Sequence, residues 1–286
     1  MIIFSNKKSG ALAAGVAKAL KMPLGEKEVK VFPDGEVYVR ILTKVSGKRV
    51  IIIHTTRTNE DLVELLFTMS ALREAGARAV VCVVPHLIYQ RQDHEFLKGE
   101  AVSAKVVLNL ISRYADYIYM VNAHFLEKGG KARFGGVALM NLDAFPLLGK
   151  HFQSVKDLVI IAPDQGAEHY AEAAGKAVGC PYDHLIKHRI DGEHVKMQPK
   201  KLNVAGKNVL ILDDIISTGG TMIKAAEMLK EQGAKSVRIG GVHGIFSKGM
   251  GIFKGFEVVC TDSLPTPVSD VSLAPLIAEA MKGARH

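Results

Sequence analysis

Cysteine is scarce in this sequence, and long hydrophobic runs are absent. Cys82, Cys180 and Cys260 are widely separated, and two of the three lie in apolar, strand-like segments. This distribution favours buried thiols in a reducing compartment over a disulfide framework or a thiolate metal site. No run reaches the roughly 18 apolar residues of a membrane span, and the first residues lack the pattern of a signal peptide. We therefore expect a cytoplasmic protein.

Common nucleotide-binding and nucleic-acid-binding patterns are also missing. No Gly-x-Gly-x-x-Gly follows a strand-like run, and no loop carries the Gly-Lys-Ser/Thr of a P-loop. The net charge is +8, but lysine and arginine are spread along the chain without a dense basic block. Attraction of small polyanionic substrates explains the positive charge equally well. We expect neither a nucleic-acid partner nor a membrane partner.

Strand-like and helical patterns alternate along the chain, which is 286 residues long with 48% hydrophobic residues. This alternation predicts an α/β protein with mainly parallel sheets flanked by helices, and the length predicts two tandem domains. The predicted strands are Ile2 to Phe4, Val29 to Phe32, Val50 to His54, Val80 to Pro85, Tyr117 to Val121, Val159 to Pro163, Val209 to Leu212, Val237 to Val242 and Val258 to Thr261. The predicted helices are Ser9 to Leu20, Asn59 to Ala75, Ser103 to Tyr114, Gly166 to Val178, Gly220 to Gln232 and Val271 to Met281.

The two halves resemble each other. A strand beginning at Lys48 leads through a turn and a helix to Leu-Arg-Glu-Ala-Gly-Ala-Arg, and one beginning at Lys207 leads to Leu-Lys-Glu-Gln-Gly-Ala-Lys. We interpret this as a duplicated domain, with chance similarity of two βα units as the alternative. A Gly-rich stretch from Lys128 to Gly136 and the segment from Pro146 to Phe152 mark the predicted joint. The predicted domains are residues 1–145 and 146–286.

The turn after Leu212 combines carboxylates with a candidate phosphate cradle. Asp213-Asp214 is followed by Ser217-Thr218-Gly219-Gly220-Thr221 and then by a helical pattern. Paired glycines let backbone N–H groups turn toward a phosphate, and the helix adds its positive dipole end. The carboxylates suit ribose hydroxyls or a hard cation. A strand-to-helix turn with an Asp or Thr cap is the alternative. The first copy's turn, Thr55 to Glu60, lacks both features, so only the second domain is expected to hold a sugar phosphate.

Five separated motifs occur in a fixed order along the chain: Phe32-Pro33-Asp34-Gly35-Glu36, Arg91-Gln92-Asp93, His124, Lys187-His188-Arg189 and Asp213 to Thr221. Together they resemble the motifs of the ribose-phosphate pyrophosphokinase family, also called phosphoribosyl diphosphate synthetases, over nearly the full length. The resemblance implies two phosphoribosyltransferase-like domains, an ATP side in the first and a ribose 5-phosphate site in the second. It also implies transfer of the diphosphoryl group of ATP to the anomeric hydroxyl, with release of AMP.

For ATP, the resemblance implies contacts from Phe32, Asp34 and Glu36 of a neighbouring subunit, and from Arg91 and Gln92. An aromatic face and carboxylate acceptors suit adenine, and arginine forks onto phosphate oxygens. The alternatives are a β-turn with a core Phe for the first motif and a solvated surface for the second. A site that spans two subunits implies at least a homodimer.

For the metal ion, expected to be Mg²⁺, the resemblance implies His124 and Asp164. His124 follows a predicted strand, and its imidazole could ligate the metal or contact phosphate. The sequence departs from the family pattern at Asn122, where the family usually has Asp. Asp164 could instead be a helix N-cap.

For catalysis, the resemblance implies Lys187 and Arg189, on a polar stretch that reads as a mobile loop. Two cations with Mg²⁺ suit phosphoryl transfer, which needs mainly alignment and charge neutralisation. His184 and His188 have the spacing of a helical metal pair, but no zincin Glu accompanies them. Ser217 is a second departure, since many relatives have Asp there. Two other functions stay open: a phosphoribosyltransferase and a non-catalytic regulatory homologue. Larger assemblies, allosteric control by ADP or phosphate, and the preferred triphosphate or divalent ion are not decided by the sequence.

Overall fold

The chain forms two compact units in the computed structural model, which describes residues 1–189, 195–198 and 203–283. For residues 186–189 and 195–198, only the backbone is described. The first unit comprises Met1–Asp143, Ser263–Pro265 and the residues from Ser272 onward. The second comprises Ala144–Asp262 and Thr266–Val271.

The first unit is built on a six-stranded sheet with helices packed on it. Five strands are parallel, and the edge strand β7 pairs antiparallel with β8. Apolar residues that alternate along these strands form the core with the helices. In spatial order the strands are β1 (Ile2–Ser5), β4 (Arg49–Ile53), β5 (Ala79–Val84), β6 (Tyr117–Val121), β8 (Val137–Leu142) and β7 (Gly130–Phe134). The helices are α1 (Gly10–Leu20), α2 (Asn59–Glu74), α3 (Ser103–Ser112) and α7 (Ala274–Gly283).

A separate hairpin belongs to the first unit. Strand β2 (Lys27–Val31) pairs antiparallel with β3 (Val37–Ile41) as a two-stranded sheet. The predicted strand from Val29 to Phe32 therefore lies outside the parallel sheet, and β3 was not predicted. Both strands carry charged residues between their apolar ones, a pattern that fits a half-exposed ribbon.

The second unit has a five-stranded, fully parallel sheet. Its core consists of the apolar strand residues and the buried faces of the helices. In spatial order the strands are β10 (Tyr182–His184), β9 (Leu158–Ala162), β13 (Asn208–Ile216), β14 (Ser236–Gly244) and β15 (Glu257–Cys260). The helices are α4 (Phe145–His151), α5 (Glu168–Val178) and α6 (Gly220–Glu231), and a small antiparallel pair is formed by β11 (Ile186–Arg189) and β12 (Val195–Gln198).

The two units repeat the same local hydrogen bonds, as expected for a duplicated domain. In the first, Arg78 N–H donates to Lys48 O at 2.8 Å, and Gly47 N–H donates to Gly76 O at 2.8 Å. In the second, Lys235 N–H donates to Lys207 O and Gly206 N–H donates to Gly233 O, both also at 2.8 Å. All four glycines have positive φ. The aligned Gly residues of the sequence repeat therefore close equivalent turns, because each must adopt a left-handed conformation.

Two expectations about the domain joint need correction. The Gly-rich stretch from Lys128 to Gly136 is not a linker, because it forms β7 and the turn to β8 within the first sheet. The segment from Pro146 to Phe152 is not a linker either, because most of it lies in α4 of the second unit. The units change over between Asp143 and Ala144, close to the predicted boundary, but the residues from Ser272 onward, predicted for the second domain, belong to the first unit. Helix α7 packs against α1 so closely that a Cβ on Gly15 would lie 2.9 Å from the Cβ of Ala274. Helix α7 therefore belongs to the first unit, and its buried residues are Ala274, Ile277, Ala278 and Met281.

The two strand cysteines are buried as expected. Burial raises the pKa of both the Cys82 and the Cys260 thiols to about 12, so each remains protonated and inert. Within the described part of the chain, no helix is both long and apolar enough to cross a membrane.

Candidate active site

The strand that leads to the predicted phosphate loop is longer than the sequence indicated. Strand β13 runs through Asp213 and Asp214 to Ile216, and Asp213 lies opposite Gly241 of β14. The acidic pair thus belongs to the strand and not to the turn, because a neighbouring strand on one side continues the hydrogen-bond ladder. Residues 217–219 then make a short turn into α6.

The two glycines of this turn differ in their surroundings. Gly219 has φ 81°, and a Cβ there would collide with the ring of Phe253 and lie 2.7 Å from Ile252 Cδ1. Gly220 opens α6, and a Cβ there would meet no protein atom within 4 Å. Gly219 is therefore required by the fold, whereas Gly220 leaves open space in front of the helix.

Backbone donors are concentrated at this open space. Within the described residues, the N–H groups of residues 218–221 donate to no backbone carbonyl. The first helical bond runs from Ile223 N–H to Gly219 O at 3.0 Å. The turn is held from behind, since Ser247 N–H donates to Ser217 O at 3.0 Å. Free N–H groups at the positive end of a helix form a suitable site for a phosphate dianion.

Three carboxylates accumulate beside the turn in the second unit. Asp214 is buried and Asp213 is half-buried. Burial, together with the negative charges of Asp214 and Asp164, raises the pKa of Asp213 well above its usual range. Asp164 also accepts a hydrogen bond from Ala167 N–H at 3.2 Å, which fixes the turn before α5. Three neighbouring carboxylates suit a bound cation or the hydroxyls of a sugar by their chemistry.

The equivalent turn of the first unit is closed by its own side chain. The Asp61 carboxylate accepts hydrogen bonds from Arg57 N–H and Thr58 N–H, both at 2.8 Å, and pairs with Lys8 Nζ at 2.5 Å. Thr58 completes a capping box with Asp61 at the start of α2. A carboxylate of the chain therefore satisfies the donors that a phosphate would need, which gives a physical reason for the expectation that this turn binds no sugar phosphate.

Arg91 and Gln92 lie on the loop after β5 and are both exposed. Gln92 N–H donates to Tyr89 O at 2.9 Å, and Gln92 Oε1 accepts from Ser103 Oγ at 3.0 Å at the start of α3. Arg91 makes no hydrogen bond or ion pair with any residue that the structure describes. Its guanidinium is therefore available to an anionic ligand.

His124 is exposed on the loop after β6, and its backbone is held by side-chain amides. Ala123 N–H donates to Asn141 Oδ1 at 2.9 Å, and His124 N–H donates to Gln90 Oε1 at 3.2 Å. Asn122, the departure from the family pattern, has φ 37° and donates to Asp143 Oδ1 at 3.1 Å. An aspartate could not donate this bond when ionised, so Asn122 has a structural role in this chain.

The motif from Phe32 to Glu36 forms the tip of the β2–β3 hairpin. Phe32 O accepts from Gly35 N–H and Phe32 N–H donates to Glu36 O, both at 2.8 Å, while Gly35 has φ 91°. This is a three-residue hairpin loop with glycine in the left-handed position. The Phe32 side chain is 45% exposed, so the core-Phe alternative is wrong within this chain. Asp34 and Glu36 are also exposed, and the tip presents an aromatic ring beside two acidic residues.

A buried ion pair anchors this hairpin to its unit. Lys27 Nζ on β2 lies 2.8 Å from Glu64 Oε1 and 3.0 Å from Thr68 Oγ1, both on α2. The Lys27 side chain is only 7% exposed, and burial lowers its pKa although Glu64 opposes the change. The exposed tip therefore projects from a firmly attached base.

Lys187 and Arg189 lie on strand β11, and their side chains are outside the described residues. The stretch predicted as a loop contains the β11–β12 pair, in which Lys187 lies opposite Met197 and Arg189 opposite Val195. Asp191, Gly192 and Glu193 also lie outside the described residues.

The two residues expected to hold Mg²⁺, His124 and Asp164, do not by themselves form a complete set of metal ligands. Among the described residues, no group of three or more His, Cys, Asp or Glu side chains is arranged to bind a metal. Mg²⁺ commonly uses one or two carboxylates together with substrate phosphates and water. The acidic cluster of Asp164, Asp213 and Asp214 fits this requirement by its chemistry. His124 contributes a single nitrogen in the first unit.

Sequence reasoning missed four residues that organise these sites. Asp61 had a visible signal, since Thr58-Asn59-Glu60-Asp61 has the spacing of a capping box. Gln90, Asn141 and Lys27 had none, because each acts on a partner distant in the sequence. Only the folded chain brings those partners together.

Comparisons with known proteins match both halves of the chain. Residues 1–114 match the model for the N-terminal domain of ribose phosphate pyrophosphokinase, and residues 146–249 match the phosphoribosyl transferase domain. The chain is 40% identical to a ribose-phosphate pyrophosphokinase of Methanothermobacter thermautotrophicus, covering 98% of this chain and 100% of that protein. It is 39% identical to ribose-phosphate pyrophosphokinase 2 of Archaeoglobus fulgidus, covering 98% and 99%.

A solved structure is similar over the whole chain. The crystal structure of phosphoribosylpyrophosphate synthetase from Mycobacterium smegmatis matches with a TM-score of 0.81 and 29% identity. The match covers 99% of this chain and 97% of that one. The similarity therefore extends through both units, including their order.

Proposed function

The chain belongs to the ribose-phosphate pyrophosphokinase family, and we propose that it binds the 5-phosphate of ribose 5-phosphate at the turn after β13. The enzyme transfers the diphosphoryl group of ATP to the anomeric hydroxyl of the sugar, giving 5-phosphoribosyl 1-diphosphate and AMP. One observation carries the assignment of the sugar site: backbone donors and open space at Gly220 adjoin the acidic cluster of β13. Phosphate and ribose hydroxyls need these two kinds of partner side by side.

We assign the sugar contacts of this turn and of the end of β13 by their chemistry. The N–H groups of residues 218–221 would receive the phosphate, with the hydroxyls of Ser217, Thr218 and Thr221 as further donors. Asp213 and Asp214 would accept hydrogen bonds from ribose hydroxyls. Asp164, which lowers the acidity of Asp213 through its charge, would share Mg²⁺ with the bound substrates.

The ATP side belongs to the first unit in this proposal. Arg91 would fork onto phosphate oxygens, Gln92 would contact ATP, and His124 would ligate Mg²⁺ or contact phosphate. The exposed hairpin tip would contact the adenine ring of ATP that is bound to a neighbouring subunit, through Phe32, Asp34 and Glu36. This arrangement requires a homodimer or a larger homo-oligomer. The cytoplasmic location remains a prediction.

Lys187 and Arg189 would stabilise the transferring group. Both residues are cationic and lie two positions apart on β11. Mg²⁺, when bound, supplies charge neutralisation at the phosphate oxygens. The chain's own residues supply alignment and positive charge, which are the main requirements of a loose phosphoryl-transfer transition state.

The reaction product tests the proposed function directly. Purified protein incubated with ATP, Mg²⁺ and ribose 5-phosphate should form AMP and 5-phosphoribosyl 1-diphosphate in equal amounts. ADP as the product would contradict diphosphoryl transfer. Consumption of 5-phosphoribosyl 1-diphosphate with a nucleobase, without AMP formation from ATP, would instead identify a phosphoribosyltransferase.

The Lys187→Ala variant tests the assigned cation. We expect kcat to fall by about two orders of magnitude or more while ATP binding is largely kept, because the lost charge acts mainly in the transition state. Lys18→Ala, on the exposed face of α1, removes the same charge as a control. Equal turnover of the two variants would contradict the role of Lys187.

A further inference from the structure

Gln90 is a buried polar residue between exposed neighbours of the candidate ATP loop. It is 2% exposed, whereas Tyr89 and Arg91 on either side are exposed. Its Oε1 accepts a hydrogen bond from His124 N–H at 3.2 Å. Its Nε2 is buried and has no hydrogen-bond partner among the described residues. One end of the amide therefore makes a contact between two loops, and the other end gains nothing from burial.

The loop after β5 is shaped to turn Gln90 inward. Tyr89 has φ 68°, a left-handed conformation that is unfavourable for a side chain with a Cβ. Its hydroxyl donates to Asn59 Oδ1 at 2.6 Å, and its carbonyl accepts from Gln92 N–H at 2.9 Å. These bonds stabilise a conformation in which Gln90 is buried while Arg91 is exposed.

The loop after β6 receives Gln90 at a defined position. Asn141 Oδ1 takes the N–H of Ala123, and Gln90 Oε1 takes the next N–H, that of His124. Asn141 Nδ2 in turn donates to Lys128 O at 3.0 Å. Two consecutive backbone donors are thus fixed by an amide on β8 and an amide on the loop after β5, and the exposed imidazole of His124 extends from this fixed backbone.

We propose that Gln90 is a positioning residue that couples the loop of Arg91 and Gln92 to the loop of His124. The inference rests on the proposed function, which places ATP phosphates and Mg²⁺ at these loops. Hydrophobic packing alone would be served better by a methionine, which has similar length and leaves no buried amide unpaired. The unpaired Nε2 therefore indicates that the Oε1 contact is the reason for a glutamine here.

Two substitutions separate this role from simple packing. Gln90→Met keeps the length and removes the acceptor, and Gln90→Glu keeps an acceptor oxygen at the same reach. Gln232→Met is the matched control, because Gln232 in the second unit also has buried side-chain atoms without partners among the described residues. Each variant is assayed for kcat and for the KM of both substrates, and hydrogen exchange of the His124 amide is followed by NMR.

For Gln90→Met we expect kcat/KM for ATP to fall about tenfold, since small misplacements of aligned groups have effects of this order or larger. The KM for ribose 5-phosphate should stay within about twofold, and the His124 amide should exchange faster. Gln90→Glu should recover slow exchange and most of kcat/KM, and Gln232→Met should match the wild type.

Three results would overturn the proposal. They are an unprotected His124 amide in the wild-type protein, faster exchange in Gln90→Met without loss of kcat/KM for ATP, and equal losses in Gln90→Met and Gln90→Glu. Hydrogen exchange of the His124 amide in the wild-type protein requires no variant, so this test still decides the proposal if Gln90→Met fails to fold. Exchange also needs no turnover, so wild-type protein that forms no AMP would refute the proposed function separately from the coupling between the loops.

Discussion

At the scale of single residues, the adjacent glycines of the phosphate loop are glycine for different reasons. Gly219 needs a left-handed backbone and has no room for a Cβ, because Phe253 and Ile252 lie against it. Gly220 has ordinary helical surroundings and open space, so no protein atom excludes a side chain there. The first glycine serves the fold, and the second keeps the space in which the phosphate is proposed to bind.

Alanine substitutions distinguish these two glycines. Gly220→Ala should raise the KM for ribose 5-phosphate at least about tenfold, because its methyl group enters the phosphate space, while the melting temperature stays the same or rises. Gly219→Ala should lower the free energy of unfolding by about 2 kcal/mol or more through strain and overlap. Substrate kinetics and thermal unfolding of both variants check this. A stable Gly220→Ala enzyme with unchanged KM would disprove the phosphate assignment.

Asp213 should destabilise the ligand-free protein at neutral pH. Its raised pKa means that the folded protein still binds this proton after the unfolded chain has released it, so stability falls as the pH rises above the ordinary value of 3.8. Asp213→Asn should therefore melt a few degrees higher than the wild type near pH 8 without Mg²⁺, and the difference should vanish below about pH 4. Activity should be lost, since Asn cannot replace the carboxylate.

Thermal unfolding at several pH values measures this effect of Asp213. Glu227→Gln on the exposed surface of α6 makes the same change of charge and should show no such pH dependence. A stability difference for Asp213→Asn that grows toward low pH would have the wrong sign and would refute the assigned pKa direction.

At the scale of elements, one strand–turn–helix unit has two opposite uses. The turn after β4 satisfies its N–H donors with the Asp61 carboxylate, which Lys8 neutralises, whereas the turn after β13 leaves its N–H groups without backbone partners among the described residues. The repeated hydrogen bonds around Gly76 and Gly233 show that the surrounding frame is the same. The proposed difference in binding would therefore come from a few side chains and not from the fold.

The base of the β2–β3 hairpin gives a prediction of its own. Lys27→Met leaves Glu64 partly buried without its cation, which should lower the free energy of unfolding by about 3–5 kcal/mol. The double variant Lys27→Met, Glu64→Leu should recover most of this loss, because an apolar pair replaces the buried charges. Denaturant unfolding of the wild type and the three variants measures the coupling. Additive losses would show that the pair is not coupled.

At the scale of the whole molecule, the chain returns to its first unit after completing the second. Helix α7 covers α1, and its Ile277 side chain is fully buried. Ile277→Ala should cost about 2–5 kcal/mol, and exposed Glu279→Ala should change stability by less than about 0.5 kcal/mol. Hydrogen exchange should rise in β1 and β4 of the first unit. Faster exchange confined to β9 and β13 would contradict the assignment of α7 to the first unit.

Much of the parallel framework could be predicted from local patterns. Strands β1, β4, β5 and β6 were expected because buried parallel strands are continuous apolar runs, and helix α2 because its apolar residues recur at helical spacing. The sequence did not predict β3, β7, β8, β10, β11 and β12, nor helix α4. Most of these elements are short or mix charged or glycine residues with apolar ones, and β8 and α4 lie next to or within the segments interpreted as the domain joint. The predicted end of β13 was too early. Two consecutive aspartates are typical of a turn, and only the pairing of Asp213 with Gly241 of β14 shows that the strand continues.

The sequence by itself determined the family, the α/β class and the residues of the candidate sites, because these depend on local periodicity and on residue types at fixed spacing. Tertiary structure alone decided the path of α7, the ion pair under the hairpin, the carboxylate that closes the first turn, and the contact of Gln90 with His124. Each of these joins groups that are distant along the chain or depend on three-dimensional packing. The contribution of each contact to stability depends on which polar groups are buried beside each other in the folded chain, because burying a polar group without a partner is costly.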